Sequence, residues 1–331
     1  MRIIEIITDC GHVDTLHGLA EQQELVDFWS TKCEHDDRCA VRLLVKPGKQ
    51  QRVLDAVQSI IGSSDNSRVV IMPVEATIPR PEVDEEEKKQ NSTTRSREEL
   101  YQTIVSGITL DSTFVWMVAL STIVASIGLL ADNVAIVIGA MVIAPLLGPN
   151  LALAFASALG DGQLIWQSLK TNLIGVGTAL IISVVIGYLW PLYFGSFESS
   201  HELMSRTDVG YDGVILALVS GAAAVLCLAS GWTNTLVGVM VAVALLPPTA
   251  TLGMMIGAGK YELAIGAGLL LAINIVCVNL SAKLAFVAKG VKPRTWIEKN
   301  KARQSVWLAV VFWVIVLGLL ISFMQIWHKV I

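Results

Sequence analysis

Two proline-bearing stretches stand inside otherwise apolar runs: Ala144-Pro145-Leu146-Leu147-Gly148-Pro149-Asn150 and Leu245-Leu246-Pro247-Pro248-Thr249. Proline removes a backbone hydrogen bond and clashes with the preceding turn, so each stretch is a candidate helix break. Within a bilayer, the freed backbone groups must find partners in protein or water. Pro149 and Pro248 suit the first position of a second half-helix. Two half-helix N-termini would then converge, offering free N–H groups and positive dipole ends to an anion or a neutral polar solute. Carbonyls ending the first halves would suit a cation instead. Asn150, Thr249 and Thr251 sit beside the breaks as candidate side-chain ligands. Asn172, Asn274, Asn279 and Ser281 are further polar residues in apolar runs, placed to line a cavity or to hydrogen-bond between helices. The plain alternative is a pair of kinks that serve packing only.

These stretches need a membrane around them, and composition supplies that inference. The 331 residues are 53% hydrophobic and 16% charged, against about 25% charged in a soluble domain. Residues 1–111 hold 13 Lys+Arg and 20 Asp+Glu, whereas residues 112–331 hold 11 and 8. A segment so poor in charge cannot present an ordinary wet surface. A bilayer core of about 30 Å needs about 20 apolar residues per helix. Seven spans are predicted, at 112–131, 133–158, 170–190, 213–230, 233–258, 262–286 and 305–327. No ionisable residue lies near the middle of any of them, which counts against a proton-coupled carrier built on a buried carboxylate. Lys170 and Lys283 lie near span ends, where they are expected to snorkel. Asp132, Asp161, Lys260 and Glu262 also fall at span ends and read as solvated.

An internal repeat emerges when the chain is shifted against itself. Gly139-Ala140-Met141-Val142 meets Gly238-Val239-Met240-Val241, and Leu146-Leu147-Gly148-Pro149 meets Leu245-Leu246-Pro247-Pro248. Ala154 and Ala158 meet Gly253 and Gly257, and Gly160 meets Gly259. Each copy holds three spans, so the copies would be antiparallel in the membrane, as in many transporters. Gly253 and Gly257 also form a GxxxG pair suited to close helix contact.

Lys/Arg placement predicts the orientation. Residues 283–303 carry seven Lys/Arg against Glu298 and are expected inside, while the acidic 191–212 is expected outside. With seven crossings this places the N-terminal domain in the cytoplasm and the C-terminus outside a cell (inner) membrane.

Residues 1–80 read as a soluble domain in the order strand, helix, strand, strand, helix, strand, a ferredoxin-like split βαβ. Residues 81–111 follow as an acidic linker and a short amphipathic helix. Cys33, His35 and Cys39 cluster at a predicted hairpin turn, but their spacing matches no standard finger and no metal or other cofactor is expected. The five cysteines show no disulfide-framework spacing, which fits a reducing compartment for this domain. No nucleophile–base pair recommends an enzyme, and nucleic acid is not an expected partner.

RIIEI, VEATIPRPE, IGAMVIAPLLGPNLALAFA and VAVALLPPTATLG together resemble the bacterial and archaeal "uncharacterised hydrophobic domain" family, domain of unknown function 389. The resemblance covers roughly 105–290 and the N-terminal domain. It implies the architecture and brings no activity, substrate or cofactor. The sequence therefore predicts a polytopic α-helical membrane protein with a 3+3 inverted repeat plus one helix and a small ferredoxin-like domain. The function expected is that of a channel or transporter for a small ion or polar solute. A homo-oligomer is expected, since the small-residue faces and the sheet could each support one. The alternative is a non-transporting sensor or scaffold whose soluble domain binds a ligand or partner.

Overall fold

The computed structural model describes residues 1–32, 38–46, 48–62, 66–74, 77, 96–193, 200–230, 234–291 and 296–330. The chain divides into two compact units, Met1–Glu99 and Leu100–Ile331.

In the first unit the described elements are β1 (Arg2–Asp9), α1 (Val13–Gln22), β2 (Asp27–Lys32), β3 (Arg38–Val45), α2 (Gln50–Ile61) and β4 (Arg68–Pro73). The sheet order is β2-β3-β1-β4 with every neighbour antiparallel, the arrangement of a split βαβ unit. Strand alternation sends Ile4 and Ile6 of β1, with Val41, Leu43 and Val45 of β3, to one face. There they meet Leu16 and Leu19 of α1 and Val53, Leu54 and Val57 of α2. The other face carries polar pairs such as Arg42 with Glu5, directly opposed across the strands at 2.6 Å.

One cysteine expectation is overturned here. Cys10, just after β1, is disulfide-bonded to Cys39 on β3. Their 29-residue separation hid the pair, because strand pairing rather than spacing brings them together. Cys39 is therefore no partner for a metal with Cys33 and His35, which fall outside the described residues. Alkylation of the denatured protein without reductant is expected to leave Cys10 and Cys39 unlabelled, and with reductant to label both. Cys10→Ser should lower stability by about 3.6 kcal/mol on a chain-entropy estimate. Full labelling without reductant would remove the bond from the account.

The second unit is helical. Its helices are α3 (Arg97–Ser106, shared with the first unit), α4 (Ser112–Leu130), α5 (Val134–Ile143), α6 (Leu147–Leu159), α7 (Gly162–Tyr193), α8 (His201–Ser205), α9 (Tyr211–Ser230), α10 (Asn234–Gly257), α11 (Tyr261–Ala288) and α12 (Trp296–Val330). Short polar side chains start several of them: Asp111, Asn133 and Asp161 accept from the amides of Phe114, Ile136 and Leu164 at 2.8, 3.2 and 3.0 Å. Asp161 thus has a capping role. Among the described residues, α4, α7, α9, α11 and Val310–Trp327 of α12 are long and apolar enough to cross a membrane. The bent pair α5 and α6 makes a sixth candidate. Large apolar side chains such as Trp116, Ile181, Ile215 and Leu319 point outward, as lipid contact demands.

Glycine sets the closest contacts. A methyl on Gly187 of α7 would overlap the Met254 backbone of α10, and one on Gly257 would overlap the Val184 carbonyl. The GxxxG pair therefore packs against α7. The stripe Leu100, Ile104 and Ile108 at α3 is buried with Leu151 and Phe155 of α6, so protein covers the apolar face of this amphipathic helix.

Candidate functional site

The first proline stretch does break its helix. Ala144 is extended (φ −68°, ψ 119°), as the residue before a proline prefers. The chain turns through Pro145 and Leu146, and α6 restarts at Leu147 with a bend of 58° from α5. Pro149 is thus the third helical position rather than the first. Its missing N–H costs nothing there, since first-turn amides have no carbonyl to reach.

The second stretch does not break. α10 runs continuously from Asn234 to Gly257 with Pro247 and Pro248 inside it. Proline already holds a helical φ, and its penalty is the lost donor. The i−4 rule leaves the carbonyls of residues 243 and 244 without helical donors. One turn on, the Thr249 hydroxyl donates to the Leu245 carbonyl at 2.6 Å, so its side chain bonds within its own helix. The expected pair of half-helix N-termini is therefore a single one, that of α6.

The two stretches nevertheless meet. Ala144 and Leu146 share an apolar cluster with Leu245 and Leu246, and Met141 shares one with Ala250. Gly148 lies against Gly107, whose carbonyl a methyl at 148 would overlap.

Beside the break, Asn150 in the first turn of α6 accepts a hydrogen bond from Asn279 Nδ2 of α11 at 2.7 Å. Asn279 Nδ2 also donates to the Ile275 carbonyl at 2.9 Å. Both side chains are buried, yet among the described residues Asn150 Nδ2 and Asn279 Oδ1 have no partner. Asn274 is buried on the same helix, five positions earlier. Among the described residues, the hydroxyl of buried Thr251 and the Nδ2 of half-buried Asn172 on α7 find no partner.

Lys283 overturns its expectation. Lys170 is exposed, but Lys283 is 0% exposed and among the described residues its Nζ makes no hydrogen bond. It cannot snorkel because the apolar cluster continues past it through Phe286 and Val291. The available signal was helical spacing: Lys283 follows Asn279 by four positions and precedes Phe286 by three, one stripe of α11.

Fold and site define a multi-helix membrane protein with a small sheet domain. The chain belongs to the family described as domain of unknown function DUF389, whose signature matches residues 141–280, from just before the break to just beyond Asn279. An uncharacterized protein of Methanocaldococcus jannaschii is 34% identical over 287 residues, covering 87% of this chain and 88% of the relative. No solved structure matches.

Proposed function

We propose that this protein passes a small ion or polar solute across the membrane, as a channel or transporter, with its pathway at the α5–α6 break. The observation that carries this is a broken span placed beside buried amides whose hydrogen-bonding capacity is only half used. Irregular backbone at membrane depth is tolerated where it is buried in protein or lines a water-filled cavity, and discontinuous helices are a common way to build solute sites.

A seven-span, 3+3 inverted repeat is part of this reading. Ser112 and Tyr211, which start α4 and α9, are 99 positions apart, as are Gly162 and Tyr261, which start α7 and α11. Gly160 and Gly259, again 99 apart, both take positive φ, 74° and 72°. The crossings also exchange. Gly187 of α7 meets Met254 of α10, and their shifted counterparts, Phe286 of α11 and Phe155 of α6, stack edge-on at 5.1 Å.

The Lys/Arg pattern favours a cytoplasmic N-terminal domain, acting in regulation or assembly, with the C-terminus outside the cell membrane. The Cys10–Cys39 bond pulls the other way, since such bonds persist poorly in a reducing cytoplasm. Homo-oligomer formation is also part of the proposal. Its best surface is Val310–Trp327, which is 6% buried within the chain.

The test is flux through the purified full-length protein in liposomes, over a panel of inorganic cations, anions and small polar solutes. The wild type should pass at least one, and Pro145→Ala should alter that flux several-fold without unfolding the protein. Silence across the whole panel would leave the sensor or scaffold reading in its place.

A further inference from the structure

We propose that the buried cluster of Lys283, Asn279 and Asn150 is a binding site for a small anion. This rests on the transport reading and names the class of solute. The geometry begins with the crossing of α6 and α11. Asn150 bonds Asn279 at 2.7 Å, and further along both helices Phe155 stacks on Phe286 at 5.1 Å. The two helices therefore run side by side in the same direction. Lys283 lies between these two contacts on the stripe of α11 that faces α6. Helical side chains lean towards their own N-terminus, and the lysine stem is long enough to reach from position 283 one turn back to the amide pair.

Everything offered there is positive or hydrogen-bonding. Lys283 supplies an ammonium that is 0% exposed and, among the described residues, pairs with no carboxylate. Asn150 supplies an unused N–H at Nδ2. Asn150 also belongs to the first turn of α6, the positive end of that helix dipole. Removing an ammonium from water without a partner is strongly unfavourable. An anion held between Lys283 and Asn150 answers that cost. The unused Asn279 Oδ1 suits the donor of a water or of a hydrogen-bearing oxyanion.

The other half carries no such cluster. Shifted by 99 positions, its counterparts are Val184 for Lys283, Leu180 for Asn279 and Thr249 for Asn150. In that half, α7 and α10 pack closely through Gly253 and Gly257 with no charge between them. The same crossing can thus be built without the lysine, so its presence needs a reason other than fold.

The experiment uses purified full-length protein, with thermal melting and liposome flux measured in sodium chloride, bromide, nitrate or bicarbonate. Gluconate replaces the anion at constant ionic strength. Wild type is expected to melt higher in at least one small anion than in gluconate. Lys283→Met, of similar length but uncharged, should weaken that anion dependence about tenfold or more while melting no lower than wild type in gluconate. Lys283→Arg should keep it. An unchanged anion response in Lys283→Met, or no anion response in wild type, overturns the proposal. Cation or neutral-solute flux indifferent to Lys283→Met also overturns it while leaving the transport reading intact. Anion-dependent melting without any flux keeps the site and removes transport.

Discussion

Gly257→Leu in the full-length protein is expected to abolish the folded membrane unit, giving aggregated or protease-sensitive material after detergent extraction. A first side-chain carbon at 257 already overlaps the Val184 carbonyl and comes within 2.7 Å of the Tyr188 amide nitrogen. Both neighbours are backbone of α7, so no rotamer change relieves the overlap and the two helices must separate. Separation would also loosen the adjacent contact of Gly187 with Met254. Overpacking a core commonly costs about 1–3 kcal/mol when side chains can adjust, and here they cannot. Gly139→Leu is the control. Gly139 is exposed and a methyl there meets nothing within 4 Å, so that variant should extract and melt like wild type. Equal behaviour of the two variants would mean that α7 and α10 do not cross as described.

The second large effect falls on the amide pair, and it separates function from stability. Asn150→Leu removes the acceptor of the 2.7 Å bond and leaves Asn279 with only the Ile275 carbonyl. Loss of one partner of a buried polar pair costs about 1–3 kcal/mol. The bond itself is worth less, since interhelical hydrogen bonds in membranes average about 0.6 kcal/mol. The double variant Asn150→Leu with Asn279→Leu should therefore melt above the sum of its singles, because no polar atom of the pair is left stranded. Flux should follow the opposite logic. Each single variant and the double variant should lose about tenfold or more, equivalent to about 1.4 kcal/mol, because the polar lining is gone in all three. Recovery of melting without recovery of flux places these residues on the pathway. Wild-type flux in both single variants moves the pathway elsewhere.

Much of the fold was legible because its causes are local. The isoleucine-rich run in Arg2–Asp9, the strand-like run in Arg38–Val45 and helical spacing in Gln50–Ile61 marked the first unit's elements. All seven apolar stretches read from the sequence fall on helices, as residue type over about 20 positions dictates. The break after Ala144 was legible for the same reason, since a proline acts on its immediate neighbours. The intact α10 was not, because Pro247 and Pro248 have the same local chemistry whether their helix breaks or continues. Whether a helix tolerates two missing donors depends on what surrounds it.

The polar and charged residues divide along the same line. By itself the sequence determined that this chain has a small sheet domain and a charge-poor helical body, and that a proline interrupts one apolar run. Those follow from hydrophobicity, periodicity and backbone sterics, which need no knowledge of neighbours. Tertiary structure alone decided that Cys10 meets Cys39 and that Asn150 meets Asn279 across 129 positions. It also decided that Lys283, which looks like a surface anchor at a helix end, is enclosed with no partner among the described residues. Burial and pairing belong to the packed helices rather than to any one segment. A lysine's surroundings are set by the helices that close over it.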